Sequence, residues 1–230
     1  MAPQATPLDL RQLPLFRAIS QESNAALLDR HLLSQCDAEQ LLAMEQDWGE
    51  SLFLLLEGLA KVRIHNGDGM EVVLAVLGAG DLFGEIAVLD EQLRSADVVA
   101  LTSVQLVKLR GASFRDAVRT DPDLALAVIR LETERLRDLS RRFAIQASDA
   151  TTRVLAVLAY LARKASLDGD PMAAIPPFSQ REIGLLCGLS RETTSRTLTK
   201  LQQRGTLATT PSGGLRLVDL QPLRRRALLP

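Results

Sequence analysis

The sequence predicts an α+β chain in three parts. A front half of short strands closes into a barrel or sandwich, one long helix follows, and a winged helix-turn-helix ends the chain. Three observations predict this. Short apolar runs separated by Gly- and Asp-containing turns fill residues 41–109. The acid–proline–acid start Asp121-Pro122-Asp123 opens a helical pattern of 27 residues that runs to about Ala147. The stretch 179–205, SQREIGLLCGLSRETTSRTLTKLQQRG, holds two helical patterns with a break at Gly188.

Taken in order, residues 1–7 are small and polar with two prolines, and disorder is expected there. Residues 8–33 space Leu13, Leu15, Phe16, Ile19, Leu27, Leu28, Leu32 and Leu33 as short helices would. Strands are expected at 52–56, 60–64, 71–76, 98–101 and 105–109. Asn66-Gly67-Asp68-Gly69 is a hairpin signal between the second and third.

One stretch inside this region departs from strand texture: DLFGEIAVLDEQLRSA, residues 81–96. Gly84-Glu85 opens a short helical turn, and Arg94-Ser95 precedes a strand. Backbone amides at a helix start favour an anion. An arginine fork matches a phosphate, and a serine hydroxyl adds a bond. A carboxylate accepts from sugar hydroxyls. Glu85 and Arg94 therefore either grip a ribose phosphate together or form a buried salt bridge with each other, and the residues alone leave both readings open.

The long helix spans roughly 40 Å at 1.5 Å per residue. Leu124, Val128 and Leu131 form one apolar row, and Leu136, Leu139 and Phe143 another, with a phase slip near Arg135. A helix of this length rarely buries itself in one small domain. Contact with a second chain is expected, the alternative being packing along its own β-domain.

Residues 152–165 form an amphipathic helix, and a Gly/Pro/Asp-rich loop, 166–177, leads to the helix-turn-helix. Ser179 is its first N-cap, and Glu182 completes a capping box. Ser190 caps the second helix, and Gly205 falls where a left-handed C-terminal residue belongs. Thr194, Thr197, Leu198 and Leu201 share one face of that helix. Arg191, Glu192, Ser195, Arg196 and Thr199 occupy the other. Arginine can bond guanine O6 and N7 in the major groove, and glutamate can accept from cytosine N4. An ordinary solvated helix hairpin would leave the same local pattern. Residues 206–209 and 215–218, flanking Pro211-Ser212-Gly213-Gly214, add the hairpin of a wing. The division expected is 1–120 for the β domain, 121–148 for the long helix and hinge, and 149–230 for the helix-turn-helix domain. Arg224, Arg225 and Arg226 either touch a DNA backbone or form a basic tail.

Composition narrows the function classes. The 230 residues are 47% hydrophobic with a formal net charge of -1. The charge is unevenly divided. From Thr151 onward 12 Lys and Arg face 5 Asp and Glu, whereas the first 150 residues carry 15 against 23. An acidic front and a basic back suit a second domain that faces phosphate. Cys36 and Cys187 form no CxxC and cannot build a four-thiolate site, so both are expected as free thiols. His31 and His65 stand alone, so no metal site is expected. No nucleophile–base pair or Walker-type loop is found, so no catalytic residue and no enzyme is expected. The start lacks a signal pattern, and no apolar run approaches a membrane span, so a cytoplasmic protein with no membrane partner is expected.

The order of parts resembles the family of bacterial transcription regulators that contains the cAMP receptor protein and FNR. The likeness runs from about Leu15 to Val218. It is carried by GEIAVLDEQLRSA (residues 84–96), similar to the phosphate-binding cassette of cyclic-nucleotide domains, and by SQREIG…GLSRETTSR (residues 179–196), similar to that family's helix-turn-helix. The resemblance implies an N-terminal jelly-roll β-roll, a dimerisation helix and a C-terminal winged helix-turn-helix. It implies a cyclic nucleotide effector, cAMP or cGMP, held by Gly84, Glu85, Ile86, Ala87, Arg94, Ser95, Leu139 and Ser140. Glu85 would bond the ribose 2′-hydroxyl, and Arg94 and Ser95 the phosphate. Double-stranded DNA would be met by Ser179, Gln180, Ser190, Arg191, Glu192, Ser195, Arg196 and Lys200. Arg191, Glu192 and Arg196 would read a half-site resembling TGTGA, and a homodimer would read the palindrome. Relatives contact RNA polymerase through the loop matching 165–175.

The sequence also departs from the family pattern. The family's cAMP-binding Thr-Ser pair is matched here by Leu139-Ser140, which lacks the threonine hydroxyl. The loop between Glu85 and Arg94 is one residue shorter, and the FNR-like cysteine cluster is absent. Three alternatives accompany this reading. One is a family member that binds DNA without a nucleotide or with a different ligand. Another is a cupin-like metal enzyme with a fused DNA domain, which the single barrel histidine disfavours. The last is a nucleotide-binding subunit that ignores DNA, which the basic back half disfavours.

Overall fold

A computed structural model describes residues 8–229, so the expectation for residues 1–7 lies outside the described residues. Two 3₁₀ turns, Leu10–Gln12 and Pro14–Phe16, and helix α1 (Gln21–Leu28) bring Leu10, Phe16 and Leu27 against Leu52, Leu54, Val107 and Leu109. Eight strands follow: β1 (Leu32–Cys36), β2 (Leu41–Ala43), β3 (Ser51–Glu57), β4 (Ala60–His65), β5 (Glu71–Leu77), β6 (Leu82–Phe83), β7 (Asp97–Ala100) and β8 (Val104–Arg110). They form two antiparallel four-stranded sheets ordered β1-β8-β3-β6 and β2-β7-β4-β5. Leu55, Phe83 and Leu106 of the first sheet meet Ala60, Leu77 and Val98 of the second in one apolar layer. This is the expected jelly-roll arrangement.

The β4–β5 hairpin turns at Asn66, whose side-chain oxygen accepts from the N–H groups of Asp68 and Met70. Leu32 and Leu33, whose spacing suggests a helix, lie in β1. That strand sits at a sheet edge, pairs only with the distant β8, and leaves both leucines exposed. An edge strand open on both faces shows no alternation to read.

Helices α2 (Glu85–Asp90) and α3 (Gly111–Thr120) lead to the long helix α4 (Pro122–Ile145). Asp121 caps α4 by accepting from the N–H groups of Asp123 and Leu124, and it also accepts from Ser20 N–H at 2.9 Å. The Ser23 hydroxyl, followed by the Ser20 and Leu124 N–H groups, holds its carboxyl down to about 2. Early in α4, Leu124 and Val128 are buried. Further along, Ile129, Leu136 and Phe143 recur every seventh residue and are 61%, 65% and 81% exposed. The helix ends at Ile145, short of the expected Ala147. Asp149 caps the next helix, α5 (Ala150–Lys164), by accepting from the N–H groups of Thr151 and Thr152, so the chain turns over residues 146–149.

The C-terminal unit contains α5, α6 (Gln180–Cys187), α7 (Arg191–Gln203), the hairpin β9 (Leu207–Thr209) with β10 (Leu215–Leu217), and α8 (Gln221–Arg224). Ile175, in the loop before α6, pairs with Leu215 through bonds of 2.8 and 3.0 Å and widens the wing. The core of this unit continues into the front half, because Leu59, Val73, Val76 and Leu101 pack with the apolar face of α5. Polar bonds fix that contact. The Val76 N–H donates to the Tyr160 hydroxyl (3.0 Å), which donates to the Val76 carbonyl (3.1 Å). Lys164 pairs with Asp81 at 2.7 Å. Gly78 lies against the Lys164 carbonyl so closely that a Cβ there would collide with it. Among the described residues, no helix is long and apolar enough to cross a membrane.

Candidate functional site

The first half of the site is a cavity of about 310 Å³ between the β2-β7-β4-β5 sheet, the segment 83–96 and one side of α4. Gly84 begins α2 with φ +81°, in the left-handed region, and the Arg94 guanidinium occupies the space a Cβ would need. That close approach places Arg94 beside the start of α2. Arg94 Nη2 donates to the Ser51 carbonyl at 2.9 Å, and the guanidinium lies 5.5 Å from the centre of the Phe53 ring, which stacks on Phe83. Its Nη1 is buried without a partner.

Glu85 is 2% exposed. Its Oε1 accepts from Arg135 Nη1 of α4 at 2.6 Å, and its Oε2 is buried without a partner. The salt bridge considered between Glu85 and Arg94 is therefore replaced by one between Glu85 and Arg135. Fifty residues separate that pair, which no local pattern encodes. Arg135 also donates to Glu132 at 3.0 Å and to the Leu82 carbonyl. Burial pushes the Glu85 carboxyl up to about 7, against the pull of Arg135 and with the push of Glu132. Burial also lowers the Arg94 pKa, against the nearby Asp47 and Glu85 carboxylates. For Arg135, burial works against the charge, but Glu85, Glu132 and Asp81 outweigh it and its pKa is raised.

Most residues expected around the effector meet here: Gly84, Glu85, Ile86, Ala87, Arg94, Ser95 and Leu139 line the cavity. Ser140 does not. It is exposed, and its hydroxyl donates to the Leu136 carbonyl of its own helix at 2.8 Å. Two of the lining residues each carry a buried side-chain atom without a partner, the acceptor Glu85 Oε2 and the donor Arg94 Nη1. Such buried groups leave a large desolvation penalty unmet until a ligand presents a hydroxyl and an anionic oxygen. That donor–acceptor set fits a ribose phosphate.

The second half of the site is α7. Thr194, Thr197, Leu198 and Leu201 are buried against the domain, while Arg191, Glu192, Arg196, Thr199 and Lys200 are exposed. Ser195 is half-buried, and Gln180 stands exposed in the first turn of α6. Glu192 and Arg196 pair at 3.4 Å in open solvent, a contact weak enough to give way to another partner. The remaining two residues in the DNA group are engaged in capping. Ser179 accepts from the Glu182 N–H in a complete capping box, and Ser190 accepts from the Thr193 N–H.

Sequence reasoning missed the residue that ties the two halves together. Arg153 of α5 donates to the carbonyls of Cys187 (2.8 Å) and Gly188 (2.6 Å) in the turn between α6 and α7, and to the Gln146 side chain (2.6 Å) at the end of α4. Gly188 is in the left-handed conformation at φ +61°. The end of the long helix is thus bonded to the turn that aims α7. Cys187, the last residue of α6, is buried, which pushes its thiol up to about 12. Among the described residues no group of His, Cys, Asp and Glu could hold a metal ion.

Comparison with known proteins finds relatives of both parts of the chain. Residues 34–121 match the cyclic nucleotide-binding domain family, and residues 152–226 match the Crp-like helix-turn-helix domain family. The chain is 26% identical over 220 residues to a CRP-like cAMP-activated global transcriptional regulator of Mycobacterium tuberculosis, covering 95% of this chain and 98% of that protein. It is 31% identical over 157 residues to the cAMP-activated global transcriptional regulator CRP of Pasteurella multocida, covering 67% of this chain and 75% of that protein. Its fold is similar to that of FixK2 from Bradyrhizobium japonicum, with a TM-score of 0.73 at 22% identity, covering 85% and 96% of the two chains. Joining a cyclic nucleotide-binding domain to a Crp-like helix-turn-helix, the chain belongs to the cAMP receptor protein/FNR family of bacterial transcription regulators.

Proposed function

We propose that the chain is a cytoplasmic, homodimeric, sequence-specific DNA-binding regulator whose hold on DNA is set by a cyclic nucleotide, cAMP first among them, in the N-terminal cavity. The observation that carries this reading is the pair of unpartnered buried atoms, Glu85 Oε2 and Arg94 Nη1, at one cavity. A ribose hydroxyl would donate to the first and a phosphate oxygen accept from the second. Nucleotide there lies against Arg135, Leu136 and Leu139 of α4. Its differential contacts would shift α4 relative to the sheet. Through Gln146 and Arg153 that shift would reach the turn before α7. No step in this reading is catalysed.

The exposed row Ile129, Leu136 and Phe143 supports a homodimer seam along α4, with Leu126, Thr133 and Ser140 completing a seven-residue repeat. Arg191, Glu192 and Arg196 support reading of a TGTGA-like palindrome by two copies, and the loop at 165–175 is the proposed contact for RNA polymerase. A second reading, DNA binding without any nucleotide, is favoured by one observation: Arg135 already fills one Glu85 oxygen.

Thermal unfolding with added cAMP or cGMP tests the first reading. Ligand at about a hundred times its Kd stabilises by about 2.7 kcal/mol, and Arg94→Leu is expected to abolish that shift while leaving the ligand-free transition in place. No shift in the unaltered chain would favour the second reading. Sedimentation of a Leu136→Glu, Phe143→Glu chain is expected to give a monomer.

A further inference from the structure

We infer that the cavity grips a cyclic nucleotide by its ribose phosphate and is indifferent to the base. This inference rests on the nucleotide reading above. The polar side chains that line the cavity are Glu85, Arg94, Ser95, Glu132 and Arg135. They form one contiguous group. Arg135 joins Glu85 and Glu132 at 2.6 and 3.0 Å, and Arg94 lies against Gly84 with Ser95 beside it in the chain. That group is fitted to a sugar and a phosphate. The rest of the wall is apolar, including Val62, Leu74, Ala75 and Leu77 from the sheet and Leu136 and Leu139 from α4.

The base is the part of the ligand left to this apolar wall, because the ribose and phosphate occupy the polar group. At the α4 register of this wall, Leu136 and Leu139 offer no donor. A site that hydrogen-bonds a substrate group rejects a ligand lacking it by about 10⁴-fold or more, whereas an apolar pocket separates ligands by only about 10–200-fold. Discrimination here belongs to the low end of the second class: the base is enclosed by shape and apolar contact, and the ribose phosphate supplies the affinity.

The test is calorimetric titration of the full chain with cAMP, cGMP and cUMP, beside Arg94→Leu and Leu139→Thr chains. The inference expects Kd values for the three nucleotides within about thirtyfold of one another. It expects all three to be lost in Arg94→Leu, and the spread to widen in Leu139→Thr, where a hydroxyl returns to the α4 wall. A preference beyond about thirtyfold in the unaltered chain would overturn base indifference and leave the nucleotide reading standing. Unchanged ratios in Leu139→Thr, with the chain still binding, would show that this register does not face the base and would overturn the assignment. Binding of none of the three by the unaltered chain would overturn both readings together.

Discussion

The effector cavity and the recognition helix use the same side chains, arginine and glutamate, in opposite surroundings. On α7 the Arg196–Glu192 pair lies in open solvent, with side chains 78% and 85% exposed. In the cavity Glu85 is almost fully buried, and its pair with Arg135 is short. A solvated pair is labile, so α7 can exchange it for base edges at little cost. A buried pair is held by its surroundings, and any polar atom left over has no water to turn to. The cavity therefore keeps its unmet demand, Glu85 Oε2 and Arg94 Nη1, until a ligand arrives. The two regions differ less in residue type than in access to water.

Arg94→Leu removes the buried donor of the cavity segment. If the buried donor carries the phosphate, nucleotide-dependent stabilisation disappears entirely, while the ligand-free unfolding midpoint stays close to that of the unaltered chain. Retained stabilisation would move the anion site elsewhere.

The buried carboxyl should next reveal itself through pH. Its pKa in the folded chain, about 7, lies above the ordinary 4.5 because of burial. Stability linked to Glu85 is then fully present below about 4.5 and is lost as pH rises through about 7. At about 1.4 kcal/mol per pKa unit the loss is on the order of 3 kcal/mol. Denaturant unfolding of ligand-free protein at about pH 5 and about pH 8 should show this decline, and Glu85→Gln should flatten it. Equal slopes in the two chains would remove the carboxyl from the account.

On the exposed side, Arg191→Ala and Arg196→Ala should each lose about 1–3 kcal/mol of discrimination between specific and random DNA without a change in folding stability. Competition binding on a TGTGA-type duplex measures it, and an unchanged ratio would remove base reading from α7. The smallest effect is expected at Ser179. Ser179→Ala removes a complete capping box and should lower stability by about 1 kcal/mol, with base preference unaltered. A loss of base preference instead would give Ser179 a reading role beyond its cap.

The same contrast explains what the sequence made legible. On α7 and α6 the signals are local. Ser179 with Glu182, Ser190, Gly188 and Gly205 act within a few residues, and the buried Thr194, Thr197, Leu198 and Leu201 recur at helical spacing. The Gly84–Ser95 segment was likewise readable, because a left-handed glycine, a helix start and an Arg-Ser pair follow one another in the chain. The partners of the cavity were not readable. Arg135 meets Glu85 only after α4 crosses the sheet, and Tyr160 meets Val76 across 84 residues. Leu32 and Leu33 misled because an exposed edge strand carries no period. The turn-to-hinge bonds of Arg153 were hidden for a related reason: a guanidinium bonding three carbonyl or amide oxygens leaves no charge pattern in sequence.

On the proposed function, filling the cavity changes what α7 does. The most direct measurement is a titration of a TGTGA-type palindromic duplex with the full chain, followed by fluorescence anisotropy, with and without saturating cAMP. Tighter specific binding is expected with nucleotide, with no such gain in Arg94→Leu and little change on a random duplex. Identical specific affinity with and without cAMP, in a chain shown by calorimetry to bind it, would contradict the account.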